Sequence, residues 1–238
     1  EFEDRVAFIR NLVAKSGARG IIFGNSGGKD SALVGILCKA ACDNTIGLIM
    51  PCSSKRNFGI DTEDGKKLAE QYGIETRIID LTPVREAELK QLSGITEMTE
   101  HSAANIAPRL RMTTLYSVAG SEGLLVAGTG NRSEIYVGYF TKWGDGACDF
   151  NPISDLTVTE VYEFLRYLNA PLSIIEKAPS AGLYEGQTDE TEMGIKYSDI
   201  DALLLNGTDS VSNKDALEKI ERMHAGSLHK TVPVKHFK

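Results

Sequence analysis

The stretch Ile21-Ile22-Phe23-Gly24-Asn25-Ser26-Gly27-Gly28-Lys29-Asp30-Ser31-Ala32 decides how this chain folds. The apolar triplet reads as a buried strand, and the run from Ser31 to Ala41 is apolar on most faces, as a helix packed against a sheet would be. A glycine-bearing turn between the two brings bare backbone N–H groups to a helix N-terminus, where the dipole favours an anion. Gly27 and Gly28 carry no side chain to block that approach. The turn is not a Walker A loop, because only three residues separate Gly24 from Gly28-Lys29 and Asp30 stands where a hydroxyl belongs. It is not the G-x-G-x-x-G dinucleotide fingerprint either. Asp30 would repel a bound phosphate unless a divalent cation lay between them, and Mg²⁺ favours mixed shells of carboxylate and phosphate. The plainer alternative is a glycine turn with Asp30 as a dipole-favourable acid in the first helical turn.

Working outward, short apolar runs alternate with helical patterns, which predicts βαβ units. Strands are expected at residues 20–23, 45–50, 76–80 and 123–127, and an outer charged helix at 61–72. The fold class is therefore α/β, a doubly wound and mainly parallel sheet flanked by helices, with a helical C-terminal segment, all in one domain over residues 1–238. Thr157 and Glu160 have capping-box spacing, and Ser212 or Asn213 can cap a charged helix expected to end near Gly226. Two polar segments, 51–59 and 177–191, read as mobile loops of the kind that serve as lids.

Composition narrows the partners. The 238 residues are 42% apolar and 25% charged, close to globular averages, and the formal net charge of −7 gives no general field for nucleic acid. No apolar run approaches the roughly 18 residues needed to span a bilayer. Phe2, Val6, Ile9 and Val13 recur at helical spacing among charges, so the N-terminus reads as an amphipathic helix and a cytoplasmic location is expected. Cys38, Cys42, Cys52 and Cys148 form no C-x-x-C pair and read as free thiols.

A second constellation follows the strand Leu124-Leu125-Val126-Ala127. Thr129 and Glu134 lie just beyond it, at the end of a parallel sheet where ligands bind, and Glu134 could face Asp30 across a metal ion. Lys142 and Arg109 offer cations for phosphate or carboxylate, although on sequence alone each reads more readily as a solvated surface charge. Asp145, between Gly144 and Gly146, equally fits a turn residue.

Residues 26–31 resemble the pyrophosphate loop of the ATP pyrophosphatases, enzymes that split ATP between its α and β phosphates. Residues 128–134, 138–146, Asp149, 151–156, 179–183, 187–194 and the pair His229-Lys230 together resemble the signature of NAD synthetase, in order along nearly the whole chain. The resemblance implies a ligase that turns deamido-NAD, ATP and ammonia into NAD, AMP and pyrophosphate through an acyl adenylate. It implies that Gly24, Asn25, Ser26, Gly27, Gly28, Lys29, Asp30 and Ser31 hold ATP, with Thr129 and Ser180 as further nucleotide contacts. It gives Mg²⁺ to Asp30 and Glu134, and deamido-NAD to Arg109, Lys142, Asp149, His229 and Lys230. Ser26 and Asp30 would be catalytic, as would Asp145, which would hold or deprotonate ammonium. A homodimer is implied, with the deamido-NAD site near its interface.

One departure stands out. Where many relatives carry a nucleotide-binding lysine in a Tyr-Lys-Thr context, this chain has Thr157-Val158-Thr159, so either Lys29 or another cation takes that charge or ATP binds more weakly. Free ammonia is the expected nitrogen donor, because a glutamine amidase domain would need a few hundred further residues. Two rival readings are another adenylating enzyme on the same loop, such as a tRNA thiolase, and a nucleotide-binding module without turnover. An acidic chain without paired cysteines argues against the thiolase.

Overall fold

The computed structural model describes residues 1–180 and 188–237. Helix α1 (Phe2–Ser16) leads into β1 (Gly20–Gly24), α2 (Lys29–Ala41) and β2 (Thr45–Ile49). Helix α3 (Thr62–Tyr72), β3 (Glu75–Ile78), α4 (Thr82–Leu92), α5 (Glu100–Ala104), α6 (Ile106–Glu122) and β4 (Leu124–Ala127) follow. The remainder is helical: α7 (Arg132–Val137), α8 (Val158–Tyr167), α9 (Leu172–Ile175), α10 (Asp189–Met193), α11 (Tyr197–Asn206) and α12 (Lys214–Thr231).

The four strands form one parallel sheet in the order β3-β2-β1-β4, with Ile22 opposite Ile46 on one side and Val126 on the other. Strand alternation sends β1 side chains to two faces. Ile21 and Phe23 pack with Val6, Leu33, Val161 and Leu165 from α1, α2 and α8, whereas Ile22 packs with Ile46, Val126 and the α6 residues Ala107 and Ala119. Both faces are thus covered, and the sheet is doubly wound. A third cluster, with Val137, Val158, Met193, Tyr197, Ile200 and Ile220, joins α7 and α8 to the C-terminal helices.

The chain steps outward from β1 to β2 to β3, then returns to place β4 on the other side of β1. At such a switch point the loops leaving β1 and β4 diverge and open a crevice. Among the described residues no fifth strand lies beside β4. Its free edge is covered by residues 149–150: Asp149 N–H donates to the Val126 carbonyl (2.9 Å), Gly128 N–H to the Phe150 carbonyl (2.8 Å), and Val126 N–H to Asp149 Oδ2 (2.8 Å).

Several sequence-based boundaries need correction. Helix α2 begins at Lys29 and not Ser31, and β2 and β3 are shorter than expected. Segment 51–59 is not wholly a loop, since residues 55–56 are helical and a π-helical turn Asn57–Asp61 runs directly into α3. That turn is held from a distance by Arg111, whose Nη2 donates to Asn57 Oδ1 (3.1 Å), and within itself by Asn57 Nδ2 donating to Asp61 Oδ2 (3.1 Å). Residues 181–187 of the second expected loop lie outside the described residues, and its end is the Thr188-capped start of α10. Helix α12 does not stop at Gly226 but runs to Thr231, which puts His229 and Lys230 in its last turn, where positive charge suits the dipole.

Candidate active site

The loop after β1 is folded by its own side chains. Ser26 Oγ and Ser31 Oγ lie 3.0 Å apart, Ser31 Oγ donates to the Gly28 carbonyl (3.0 Å), and Gly28 N–H donates to Ser26 Oγ (3.2 Å). Buried Asn25 ties the loop to α3 by donating from Nδ2 to the Gly65 carbonyl (2.9 Å). Gly27 is required on two counts: its φ is +68°, and a Cβ there would lie 2.1 Å from the Asp61 carbonyl oxygen. Gly28 is the N-cap of α2 and no cap side chain takes a hydrogen bond from the first amides of that helix. This is a cradle shaped for an anion.

Opposite it, Asn131 and Glu134 form a full capping box at the start of α7. The box places both residues toward α2: Asn131 Nδ2 donates to Asp30 Oδ1 (3.0 Å), and Glu134 comes within 3.8 Å of Lys29 Nζ. Lys29 Nζ also donates to Asp30 Oδ2 at 2.7 Å and lies over the rings of Tyr162 (5.9 Å) and Tyr197 (5.6 Å). Its side chain is only 5% exposed. Burial alone would lower the Lys29 pKa, but Asp30 and Glu134 outweigh it and hold the ammonium above its ordinary value. Burial and the nearby Asp30 push the Glu134 carboxyl well above its usual range, against the pull of Lys29.

Asp30 and Glu134 therefore converge on one point beside the glycine loop. Among the described residues no group of three or more His, Cys, Asp or Glu side chains converges to cage a metal. Two carboxylates are what Mg²⁺ takes from a protein when a nucleotide supplies the other oxygens, so the residues present fit that ion. Val158 is buried in the third cluster, its N–H bonded to Ser133 Oγ (3.2 Å), and Tyr162 stands one turn further along α8. Two cations lie over the Tyr162 ring, Lys29 of α2 at 5.9 Å and Arg166 of α8 at 5.8 Å. Thr129 is half-buried in the loop after β4, and Ser180 is half-buried at the end of the described segment before residue 181.

The cations expected to meet deamido-NAD form a second group around the turn 141–147. Arg109, on α6, reaches the Lys142 carbonyl (3.4 Å), Lys142 Nζ donates to the His229 carbonyl (2.5 Å), and Lys230 Nζ donates to the carbonyls of Gly138 and Phe140, both at 2.7 Å. Gly138 has φ +68°, and its absent Cβ makes room for Ser227, which lets α12 dock. Asp145 accepts from Thr141 N–H (3.0 Å) and so closes its own turn. Burial raises its carboxyl pKa despite that bond, and it lowers the Lys230 pKa against the pull of Asp145. Asp149 is placed differently, at the edge of β4, with its second oxygen accepting from the Tyr116 hydroxyl (3.2 Å).

Several residues here were not singled out from sequence. Asn131 had a legible signal, the N-x-x-E spacing of a capping box. Lys177, Asp61 and Asp64 had none: Lys177 Nζ donates to the Gly27 carbonyl (2.6 Å), Asp64 Oδ2 (2.9 Å) and Asp61 Oδ1 (3.1 Å), partners more than a hundred residues away.

A glycine loop at a helix N-terminus and a buried acidic pair, set at the switch point of a parallel sheet, suit an enzyme that handles a phosphorylated ligand. The sequence model described as NAD synthase matches residues 1–238, and the chain belongs to that family. The NH(3)-dependent NAD(+) synthetase of Carboxydothermus hydrogenoformans is 46% identical over 231 residues, 96% of this chain and 93% of that protein. Among solved structures, the NMN synthetase of Francisella tularensis superposes with a TM-score of 0.89 at 36% identity, covering 99% of this chain and 98% of the other. The NH3-dependent NAD synthetase of Campylobacter jejuni gives a TM-score of 0.79 at 32% identity, covering 100% and 97%.

Proposed function

We propose that residues 1–238 act as one domain that joins ammonia to the nicotinate carboxylate of deamido-NAD, with the glycine loop and the Asp30–Glu134 pair carrying the ATP half of the reaction. The carboxylate attacks the α-phosphorus of ATP and displaces pyrophosphate. Ammonia then attacks the acyl carbon and displaces AMP. Both steps bring anions together, so positive charge and oriented donors must be in place beforehand.

The loop Gly24–Ser31 supplies those donors for the departing pyrophosphate, with Ser26 and Ser31 hydroxyls beside the open amides of α2. Lys29 supplies charge from within the loop at the position Val158 leaves apolar. Asp30 and Glu134 would hold Mg²⁺, which when bound neutralises the phosphates against the two carboxylates. Thr129 and Ser180 flank the nucleotide. Arg109, Lys142, His229 and Lys230 receive the acidic acceptor, Asp149 stiffens the strand beneath it, and Asp145, a base strengthened by burial, holds ammonium once ionised.

The observation that supports this reading best is the meeting of Asp30 and Glu134 at one point beside uncapped helix amides. Mixing the protein with deamido-NAD, ATP, Mg²⁺ and ammonium salts should release pyrophosphate and form NAD. A module without turnover would release none. Omitting Mg²⁺ should abolish release, and glutamine should not replace ammonium.

A second reading concerns the acceptor. The NMN synthetase gives the higher of the two TM-scores, which favours testing a nicotinate mononucleotide as substrate. Comparing kcat/KM for the mononucleotide and the dinucleotide decides between them. We further propose a homodimer and a cytoplasmic location, the latter in keeping with four free cysteines. No helix among the described residues is long and apolar enough to cross a membrane.

A further inference from the structure

We propose that Lys177 is a positioning residue for the nucleotide: its ammonium fixes the carbonyl of the Gly27–Gly28 peptide and so aims the Gly28 N–H into the anion cradle. The inference rests on the loop holding phosphate. An ammonium group has three donors, and Lys177 Nζ meets three acceptors: the Gly27 carbonyl at 2.6 Å, Asp64 Oδ2 at 2.9 Å and Asp61 Oδ1 at 3.1 Å. The group is enclosed, with side-chain exposures of 14% for Lys177, 13% for Asp61 and 2% for Asp64. Asp64 is fixed in turn by the Ser173 hydroxyl at 2.7 Å, and Asp61 by Asn57 at 3.1 Å.

In a planar trans peptide the C=O and N–H point in opposite directions. Holding the Gly27 carbonyl outward toward Lys177 therefore turns the Gly28 N–H inward, where Ser26 Oγ now accepts it at 3.2 Å. Gly27 would otherwise be free to swing, because glycine tolerates both halves of backbone space. Together with Arg56, 3.4 Å from Asp61, and Lys67, 3.7 Å from Asp64, Lys177 offsets two carboxylates that would repel a triphosphate from close behind the loop. It touches the loop from behind and is not itself required to touch the substrate.

The test uses the full chain with Lys177→Met and Lys177→Arg, titrated with MgATP and with Mg-pyrophosphate by calorimetry. Loss of a charge-assisted hydrogen bond predicts that Lys177→Met weakens MgATP binding about 10- to 100-fold. KM for ATP should rise in step while KM for the nicotinate acceptor stays put. Lys177→Arg keeps the charge between Asp61 and Asp64 and should fold, but a guanidinium cannot place one nitrogen on three acceptors. Its affinity for MgATP should fall between those of the wild type and the Met variant. Wild-type affinity in either variant overturns the proposal, whatever its melting temperature. Failure of the wild type itself to bind MgATP would overturn the nucleotide reading, and this inference with it.

Discussion

At Lys29 the protein buries an ammonium between two carboxylates, 2.7 Å from Asp30 and 3.8 Å from Glu134. Removing one partner of a buried pair typically costs about 3–5 kcal/mol. Lys29→Met should lower stability to urea by about that much, and Mg²⁺ should restore more stability to the variant than it adds to the wild type. An equal Mg²⁺ effect on both would show that the ion does not enter between the acids. A matched pair of glycines makes the second residue-scale prediction. Gly27 and Gly73 share nearly the same φ, +68° and +65°, yet a Cβ at Gly73 meets nothing within 4 Å. Gly73→Ala should cost about 1–2 kcal/mol, the strain of the left-handed conformation alone, and leave ATP affinity intact. Gly27→Ala should abolish ATP binding, measured by the same calorimetric titration. What the sequence made legible at this scale was chemistry that sits together locally. That Asp30, beside a glycine turn, and Glu134, just after a strand, would lie near each other followed from charge and spacing, and both meet Lys29. Lys177 was invisible because its partners are brought near only by the fold.

Elements were read well where a single pattern governed them, and less well where two competed. The buried strand and helix around the glycine loop, and the Thr157 cap of α8, follow from apolar runs and hydrogen-bonding side chains. Gly226 misled because glycine usually marks a helix end, whereas here α12 continues so that Ser227 can pack under Gly138. A Cβ at Gly226 meets nothing within 4 Å. Gly226→Ala should therefore stabilise the protein by about 0.5–1 kcal/mol, read from the urea midpoint, and no gain would mean that α12 ends before this point in solution. The π-helical turn at Asn57–Asp61 escaped notice because Arg111 and Lys177, both distant in sequence, hold it.

At the scale of the whole molecule the buried carboxylates at Lys29 and Lys177 each face a cation, and pH should show it. Burial works to raise the Asp64 pKa, but hydrogen bonds from Lys177 and Ser173 outweigh it and hold the carboxyl below its ordinary value. A carboxylate so depressed stabilises the folded state above its unfolded pKa, and that stability is lost as pH falls through the folded value. Melting temperature should drop on acidification below the ordinary carboxylate range, and Asp64→Asn should flatten that slope. An identical slope in the variant would mean that other carboxylates govern acid unfolding.

The return of the chain to set β4 beside β1 also has a kinetic side. Asp30 and Asn131, 101 residues apart, are joined only when those two strands pair. Contacts of such long sequence separation are costly in loop entropy and tend to form late. Refolding should accordingly restore helical circular dichroism before it restores nucleotide affinity, so a fluorescent ATP analogue would time the closure of the sheet.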